Sequence, residues 1–401
     1  MKSENKTDLA EQIRAELQKR KIPMVYLNFI GPDGKICTKC SLTGLEKEQL
    51  YTSFLDGVAV NGRMVRGWEK ETEAEWLLLL PDLSTVSYTS SVHGEGAAVA
   101  MGSFPDFELD PRLCAERVTQ YARSMGLIPM CGTSVCYEVV NVFEDIDAFK
   151  IMPFSPLAEL NMRIAQHLQD MGINVEYFQP VDKCHHVIDL VPNLFLPALD
   201  QNALARWFVT AFCKEEKIDV RYSAPQSLIP ICDTAVHMSL WNEDRNRNLF
   251  FDAEDEMELS ITGKQFIAGI LRYYKELTTI IQLSAEKRYS RSWSCSFSDR
   301  RDASIIHIPV YFKERKKHDR VGWGKRILFN GFLQDCNLHI CASAVMLAGL
   351  EGIKNHLDPI DYIDNSLSIA EADPALLSGD NIFRSVLGNE MIDWIMKRER
   401  K

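Results

Sequence analysis

The amino-acid sequence predicts an α+β protein with a small strand-rich part and a larger part in which strands and helices alternate. The first ~105 residues contain short apolar runs of strand length around a few helical patterns. From residue 112 onward, long segments with apolar residues at helical spacing are separated by strand-length apolar runs. On these patterns alone, the second part is an α+β or an α/β domain of roughly 300 residues.

The strand-rich part begins with an amphipathic helix over 8–17, where apolar residues recur at helical spacing. The turn sequence Gly31-Pro-Asp-Gly34 then predicts a hairpin between strands 24–30 and 36–42. The remaining patterns predict a helix over 45–55, a strand over 56–62 and a fully buried strand over 76–80.

The larger part is predicted from the same two periodicities, of helices and of strands. Its predicted helices are 112–126, 157–171, 201–217, 263–281, 337–354 and 381–397. Its predicted strands are 131–136, 184–191, 234–240, 304–312 and 325–330.

Composition and charge exclude several classes of function. The net charge of −11 and the pI near 5.4 argue against nucleic acid as a main partner, since such binding needs a basic surface. No stretch reaches the ~18 consecutive apolar residues of a membrane-spanning helix. The polar N-terminus lacks the apolar core of a secretory signal, and the 11 cysteines have no regular spacing. We therefore expect a cytoplasmic protein that binds neither nucleic acid nor membranes.

Several motifs follow one another in a fixed order along the chain. They are Gly57-Val-Ala-Val-Asn-Gly62 with Gly67-Trp68, Asp110-Pro-Arg112, Ile261-Thr-Gly-Lys-Gln-Phe-Ile-Ala-Gly-Ile-Leu271, and the segment from Arg326-Ile327 to Ala348-Gly-Leu-Glu-Gly-Ile353. In this order and spacing the chain resembles the glutamine synthetase family over nearly its whole length. The resemblance implies a β-grasp-like N-terminal domain over 1–107. It also implies a catalytic-type domain over 108–401, built as a curved antiparallel sheet with helices.

The resemblance also implies a chemistry that can be checked residue by residue. Family members join glutamate to ammonia through a γ-glutamyl phosphate, using ATP and two or three divalent ions held by five glutamates and one histidine. Such ions neutralise the transferring phosphoryl group, and Mg²⁺ or Mn²⁺ takes oxygen ligands. The positions that match the six ligands in this sequence are Ser134, Cys136, Pro180, Val187, Ala235 and Leu328. All six ligands are therefore predicted to be lost, so that we expect no family-type catalytic residue and no ATP–Mg²⁺ cofactor.

The positions that match the family's substrate-binding residues are altered as well. Asp302, His307 and Asn330 match arginines that clamp phosphate or the glutamate carboxylate, and Asn61 matches the ammonium-site aspartate. An acidic residue in place of an arginine repels the same carboxylate. Possible ligand-binding residues are retained at His237, Arg288, Arg300 and Arg326.

Two readings of these losses remain open. In the first, the chain is a catalytically inactive homologue with a structural, scaffolding or regulatory role; the resemblance of 239–245 to a non-catalytic lens member of the family favours it. In the second, it is a repurposed enzyme. That enzyme would be an ATP-dependent γ-glutamyl–amine ligase or would use a relocated zinc or copper site, formed by Cys136, His185, His237 and His307.

The resemblance implies self-assembly in either case. Family members form two stacked rings of five or six subunits, so a homo-decamer or homo-dodecamer is expected, because head-to-tail contacts must close. An active glutamine synthetase or another protein is a further possible partner.

Overall fold

The computed structural model confirms the predicted α+β class. It describes residues 3–42, 52–69, 76–90, 96–140, 155–181, 184–222, 235–285, 292–299, 304–309, 322–369 and 371–398. The helices are α1 (Ser3–Lys19), α2 (Pro111–Ser124), α3 (Pro156–Asp170), α4 (Phe195–Glu215), α5 (Ile261–Arg272), α6 (Tyr274–Ser284), α7 (Leu338–Lys354), α8 (Ile382–Leu387) and α9 (Asn389–Lys397). None of these described helices is long and apolar enough to cross a membrane.

The strands follow the predicted order, with additions. They are β1 (Met24–Ile30), β2 (Ile36–Leu42), β3 (Val58–Asn61), β4 (Trp76–Pro81), β5 (Ser87–Ser90), β6 (Gly96–Ser103), β7 (Ile128–Val139), β8 (Val175–Pro180), β9 (His185–Leu190), β10 (Asn193–Leu194), β11 (Val220–Arg221), β12 (Val236–Trp241), β13 (Ser292–Ser298), β14 (Ser304–His307), β15 (Ile327–Phe329) and β16 (Asp364–Ile369).

The chain divides into two compact units. Unit 1 consists of Met1–Leu113, Tyr137–Leu190 and Asp200–Arg221, and unit 2 consists of Cys114–Cys136, Val191–Leu199 and Tyr222–Lys401. The division into domains over 1–107 and 108–401 stays a prediction.

Unit 1 contains a sheet with the strand order β2-β1-β6-β4-β3, and β5 pairs with β6. The hairpin of β1 and β2 is antiparallel as predicted, whereas β6 runs parallel to β1. Four aromatic side chains pack together beside this sheet. The ring of Trp68 lies 4.8 Å from Phe107 and 5.8 Å from Phe104, and Phe104 lies 5.0 Å from Phe29, measured between centroids. All three pairs pack edge to face, which is a favourable arrangement for aromatic rings.

The prediction of a fully buried strand over 76–80 is wrong. In β4, Leu79 is buried, but Trp76 is 59% exposed and Leu78 is 46% exposed. Successive side chains of a strand point to opposite faces, and only one face of β4 lies on the core of unit 1. The continuous apolar run therefore supplies one core face and one apolar face that this chain leaves exposed.

Unit 2 contains strands in the order β16-β13-β14-β15-β12-β7 together with the most apolar helix of the protein. The helix predicted over 337–354 is confirmed as α7, whose N-terminus is capped by Asn337; the Asn337 side chain accepts the N–H of Ile340 at 3.4 Å. Residues Leu338 to Gly352 of α7 are buried throughout. A helix that is apolar all round belongs in a core, and α7 occupies that position.

Two predicted helices are each divided in the structure. The helix over 263–281 is interrupted at Tyr273, which separates α5 from α6. The helix over 381–397 is interrupted at Gly388, whose φ of +108° ends α8 before α9 begins. A side chain at that φ would be strained, so glycine permits a break that the helical periodicity hides. Of the helix predicted over 45–55, residues 52–55 are helical and 45–51 lie outside the described residues.

Candidate functional site

Neighbouring strands of unit 2 bring several predicted site positions to one face. Gly132 on β7 lies opposite His237 on β12, His237 lies opposite Leu328 on β15, and Leu328 lies opposite His307 on β14. Residues directly opposite each other on paired strands project to the same face, about 5 Å apart. Along β7, Ser134 and Cys136 follow Gly132 at two-residue steps and share its face. We call this surface the β7–β14 face; it carries Ser134, Cys136, His237, Leu328 and His307.

The β7–β14 face offers hydroxyl, thiol and imidazole groups. Ser134 and Cys136 are buried, and His237 and His307 are half-buried. The backbone N–H of Ser134 donates to the carbonyl oxygen of Ala235 at 3.0 Å, which brings Ala235 beside β7. Ala235 and Leu328 contribute only hydrocarbon. No predicted ligand position on this described face carries a carboxylate.

Two predicted substrate positions have local structural roles. The side-chain amide of Asn330 donates to the carbonyl oxygen of Ser304 at 3.0 Å, which joins the end of β15 to β14. In unit 1, the side-chain oxygen of Asn61 accepts the N–H of Arg63 at 3.0 Å and caps a short helical turn, Gly62–Met64. Arg326 is half-buried at the start of β15. The remaining predicted residues, Arg288, Arg300 and Asp302, lie outside the described part of the chain.

Unit 1 carries the other two predicted ligand positions on β8 and β9. Pro180 pairs with His186, and Gln179 pairs with Val187. Directly opposite residues share a face, so Gln179 lies on the same face as Val187 and Pro180 lies on the other. A register shift between Val175 and Tyr177 precedes these pairs. This register shift on β8 has no signal in the sequence.

His186 belongs to a buried network on the face opposite to that of His185. Its ring stacks on Tyr137 with centroids 5.7 Å apart, and its Nδ1 lies 3.0 Å from the side-chain nitrogen of Asn161. The Tyr137 hydroxyl donates to the side-chain oxygen of Asn161. His185 and His186 therefore lie on opposite faces of β9, and His186 has a structural role.

Three metal-type donors meet in unit 1 beside the predicted ligand positions. One donor atom from each of Glu138, Cys184 and His185 lies within 4.8 Å of the other two. The Cys184 Sγ lies 3.4 Å from the His185 Nδ1. Glu138 and Cys184 are half-buried, and His185 is 7% exposed. Among the described residues, no other group of three or more His, Cys, Asp and Glu residues is as close.

Sequence reasoning selected one member of this trio. His185 was predicted as a metal ligand together with Cys136, His237 and His307, which lie in unit 2. That four-residue set stays a prediction. The other two members have a weak sequence signal, since Cys184 precedes His185 directly and Glu138 follows Cys136 by two positions on the same strand.

The α+β fold is of the glutamine synthetase type. Residues 108–393 match the family described as "Glutamine synthetase, catalytic domain", and this chain belongs to the glutamine synthetase family.

The chain is similar to curated and solved relatives. It is 24% identical over 383 residues to a glutamine synthetase of Thermotoga maritima, covering 89% of this chain and 83% of the relative. It is 23% identical over 407 residues to a glutamine synthetase of Sulfolobus acidocaldarius, covering 88% of this chain and 82% of the relative. A solved "novel glutamine synthase homolog" has a TM-score of 0.78 at 15% identity, covering 94% of this chain and 93% of the other. A GmaS/ADP complex has a TM-score of 0.78 at 14% identity, covering 96% of this chain and 94% of the other.

Proposed function

We propose that this member of the glutamine synthetase family has lost the metal-dependent ligase chemistry and acts as a structural, scaffolding or regulatory ring oligomer. The observation that carries the proposal is the composition of the β7–β14 face. Ser134, Cys136, Ala235 and Leu328 occupy the ligand positions that the family resemblance assigns to unit 2. A hydroxyl, a thiol and two hydrocarbon side chains stand where the family places its metal ligands.

Physical chemistry explains why these replacements remove the activity. Mg²⁺ takes a nearly octahedral set of oxygen ligands and is held by carboxylates and phosphate oxygens. A bound metal stabilises the charge of a transferring phosphoryl group by several kcal/mol. Without the metal, the triphosphate of ATP would bring uncompensated negative charge into a chain whose net charge is already −11. Thiol and imidazole groups favour softer ions and do not replace a hard carboxylate site.

The first prediction concerns nucleotide binding. Adding ATP and Mg²⁺ should leave the Tm of this protein unchanged, because the proposed loss of the metal ligands leaves the negative charge of the triphosphate uncompensated. A ligand present at ~100 times its Kd would instead contribute about 2.7 kcal/mol to stability. The measurement is a thermal-unfolding series with and without ATP–Mg²⁺, and the Thermotoga maritima enzyme is the positive control. A clear rise in Tm, or ATP-dependent phosphate release with glutamate and ammonium or another amine, would favour the γ-glutamyl–amine ligase instead.

The exposed apolar face of β4 supports the proposed assembly. Trp76 and Leu78 project from one face of β4 in unit 1. Exposed apolar residues grouped in this way are typical of interaction surfaces. A ring neighbour, either another copy or a co-assembled active glutamine synthetase, would remove them from water.

The second prediction is the solution mass. The purified protein should have a native mass of about ten or twelve times the 45.7 kDa chain mass, since ring contacts must close. Trp76→Glu should dissociate the rings, because it places a charge in an apolar contact. Ile360→Glu, at an exposed isoleucine of unit 2, is the matched control and should leave the mass unchanged. A monomeric wild-type protein in native mass spectrometry would refute the ring.

A repurposed metalloenzyme is the second candidate function. The observation that favours it is the survival of nitrogen and sulfur donors, namely the thiol of Cys136 and the imidazoles of His237 and His307 on the β7–β14 face. These donors suit zinc or copper rather than magnesium.

A further inference from the structure

The geometry points to a zinc site formed by Glu138, Cys184 and His185 in unit 1. This donor set contains none of the six positions that match the family's metal ligands. It also differs from the set predicted from the sequence, with which it shares only His185. The inference goes beyond the proposed loss of ligase chemistry and can succeed or fail independently of it.

The spacing of the donors fits a tetrahedral metal. With Zn–S near 2.3 Å and Zn–N near 2.0 Å, a tetrahedral angle places sulfur and nitrogen about 3.5 Å apart. The Cys184 Sγ and the His185 Nδ1 are separated by 3.4 Å. A carboxylate oxygen of Glu138 completes a triangle in which every separation is within 4.8 Å. Binding therefore needs only small side-chain rotations.

The donors favour zinc over the hard divalent ions. A thiolate and an imidazole are soft or intermediate ligands, which exclude Mg²⁺ and Ca²⁺ and favour Zn²⁺. When Cys184 and Glu138 are ionised and His185 is neutral, their two negative charges balance the two positive charges of the ion. Three protein ligands leave a fourth position for water or another ligand, as in zinc sites with an open coordination position.

The backbone holds the three residues in place through strand pairing. The N–H of Val139, next to Glu138, donates to the carbonyl oxygen of Cys184 at 2.7 Å. The carbonyl oxygen of His185 accepts the N–H of Val181 at 2.8 Å. The first bond joins the end of β7 to the start of β9 and fixes Glu138 relative to Cys184, and the second joins the end of β8 to β9 at His185. A preorganised site of this kind loses less entropy on binding than one formed on a loop.

Arg221 is a positively charged neighbour of Glu138 in the trio. Arg221 on β11 is directly opposite Glu138 on β7, so the two side chains share a face. The guanidinium attracts the Glu138 carboxylate and opposes a bound cation. Replacing Arg221 with glutamine should therefore tighten zinc binding, whereas replacing any ligand should weaken it.

The third prediction tests the site with the metal alone. The full-length protein, stripped with a chelator and titrated with Zn²⁺, should bind about one equivalent per chain. Cys184→Ser and Glu138→Gln should each raise the Kd at least ~10-fold. Titration with Co²⁺ should produce a thiolate-to-cobalt charge-transfer band in the wild-type protein, and Cys184→Ser should abolish the band.

The matched controls separate this trio from the alternative donor set. Cys136→Ser and His237→Gln lie outside the trio and should leave both the Kd and the cobalt band unchanged. If these variants lost zinc binding and Cys184→Ser kept it, the metal would be bound by Cys136, His185, His237 and His307. That result would overturn the inference. Less than ~0.1 equivalent of zinc per wild-type chain would overturn it as well. Far-ultraviolet circular dichroism of each variant excludes misfolding as the cause of lost binding.

Discussion

Replacing Asp200 with alanine is expected to lower the free energy of unfolding by about 3–5 kcal/mol, because it leaves a buried guanidinium without its counter-ion. Arg112 and Asp200 are both buried in unit 1. The Nε of Arg112 donates to the two carboxylate oxygens at 3.0 and 3.2 Å, and its Nη2 donates at 2.7 Å. This bidentate geometry is the most favourable one for an arginine–carboxylate pair.

The remaining partners of Arg112 do not replace Asp200. Its Nη1 donates to the hydroxyl of Ser103 at 2.7 Å, and its Nη2 lies 3.3 Å from a carboxylate oxygen of Asp82, which is half-exposed. Burial lowers the pKa of Arg112, but the carboxylates of Asp200, Asp82 and Asp110 together more than offset this and raise the pKa above its ordinary value. Arg112 consequently stays charged and cannot avoid the penalty by losing a proton.

Urea unfolding of the wild-type protein and of Asp200→Ala tests this prediction. Glu216→Ala is the matched control, since Glu216 accepts a bond of 2.7 Å from Arg163 in a pair that is partly exposed to water. Ion pairs of that kind contribute about 0–1 kcal/mol. If Asp200→Ala lowered the free energy of unfolding by no more than Glu216→Ala does, the assigned role of the buried pair would be contradicted.

The Asp110-Pro-Arg112 motif shows what could and could not be predicted from the sequence. Its position predicted the start of α2 correctly, and the structure adds why both charged residues are needed. Asp110 accepts the N–H of Phe104 at 2.7 Å and the N–H of Arg112 at 2.9 Å. The partner of the Arg112 side chain, Asp200, lies 88 residues away and carries no periodic signal. The local sequence pattern therefore predicts where the helix begins, whereas the side-chain contacts of its first residues depend on the tertiary structure.

The same limit applies to the candidate site. The fixed period of a strand is enough to put Ser134 and Cys136 on one face of β7 and to put His185 and His186 on opposite faces of β9. It could not predict that Glu138 reaches Cys184 and His185, since that contact depends on the pairing of β7 with β9. Strand β6 was also missed, because Gly-Ala-Ala-Val-Ala-Met-Gly-Ser has no alternation of polar and apolar residues. Pairing on both sides, with β1 and β4, explains its burial.

Two further motifs of the family resemblance meet through glycines in unit 2. Gly269 belongs to α5, and Gly352 belongs to α7. A Cβ built on Gly269 would lie 2.7 Å from the backbone nitrogen of Gly352, and one built on Gly352 would lie 2.7 Å from the Cα of Gly269. The atoms that obstruct each Cβ belong to the other helix's backbone, which no rotamer change can move. The two helices therefore approach as closely as they do only because neither has a side chain at the crossing.

Gly352→Ala is accordingly expected to destabilise the protein by about 3 kcal/mol or more, at the upper end of the cost of overpacking, because α5 and α7 must separate. Gly263→Ala is the matched control, since its new Cβ would meet the movable side chain of Leu259 first. The gain in helix propensity of about 1 kcal/mol should offset much of that clash. Urea unfolding of both variants measures the difference, and the packing of α7 against α5 would be refuted if Gly352→Ala were as stable as Gly263→Ala. Because α7 is buried along its length, separation of the two helices should also disturb unit 2 as a whole and lower the cooperativity of its unfolding.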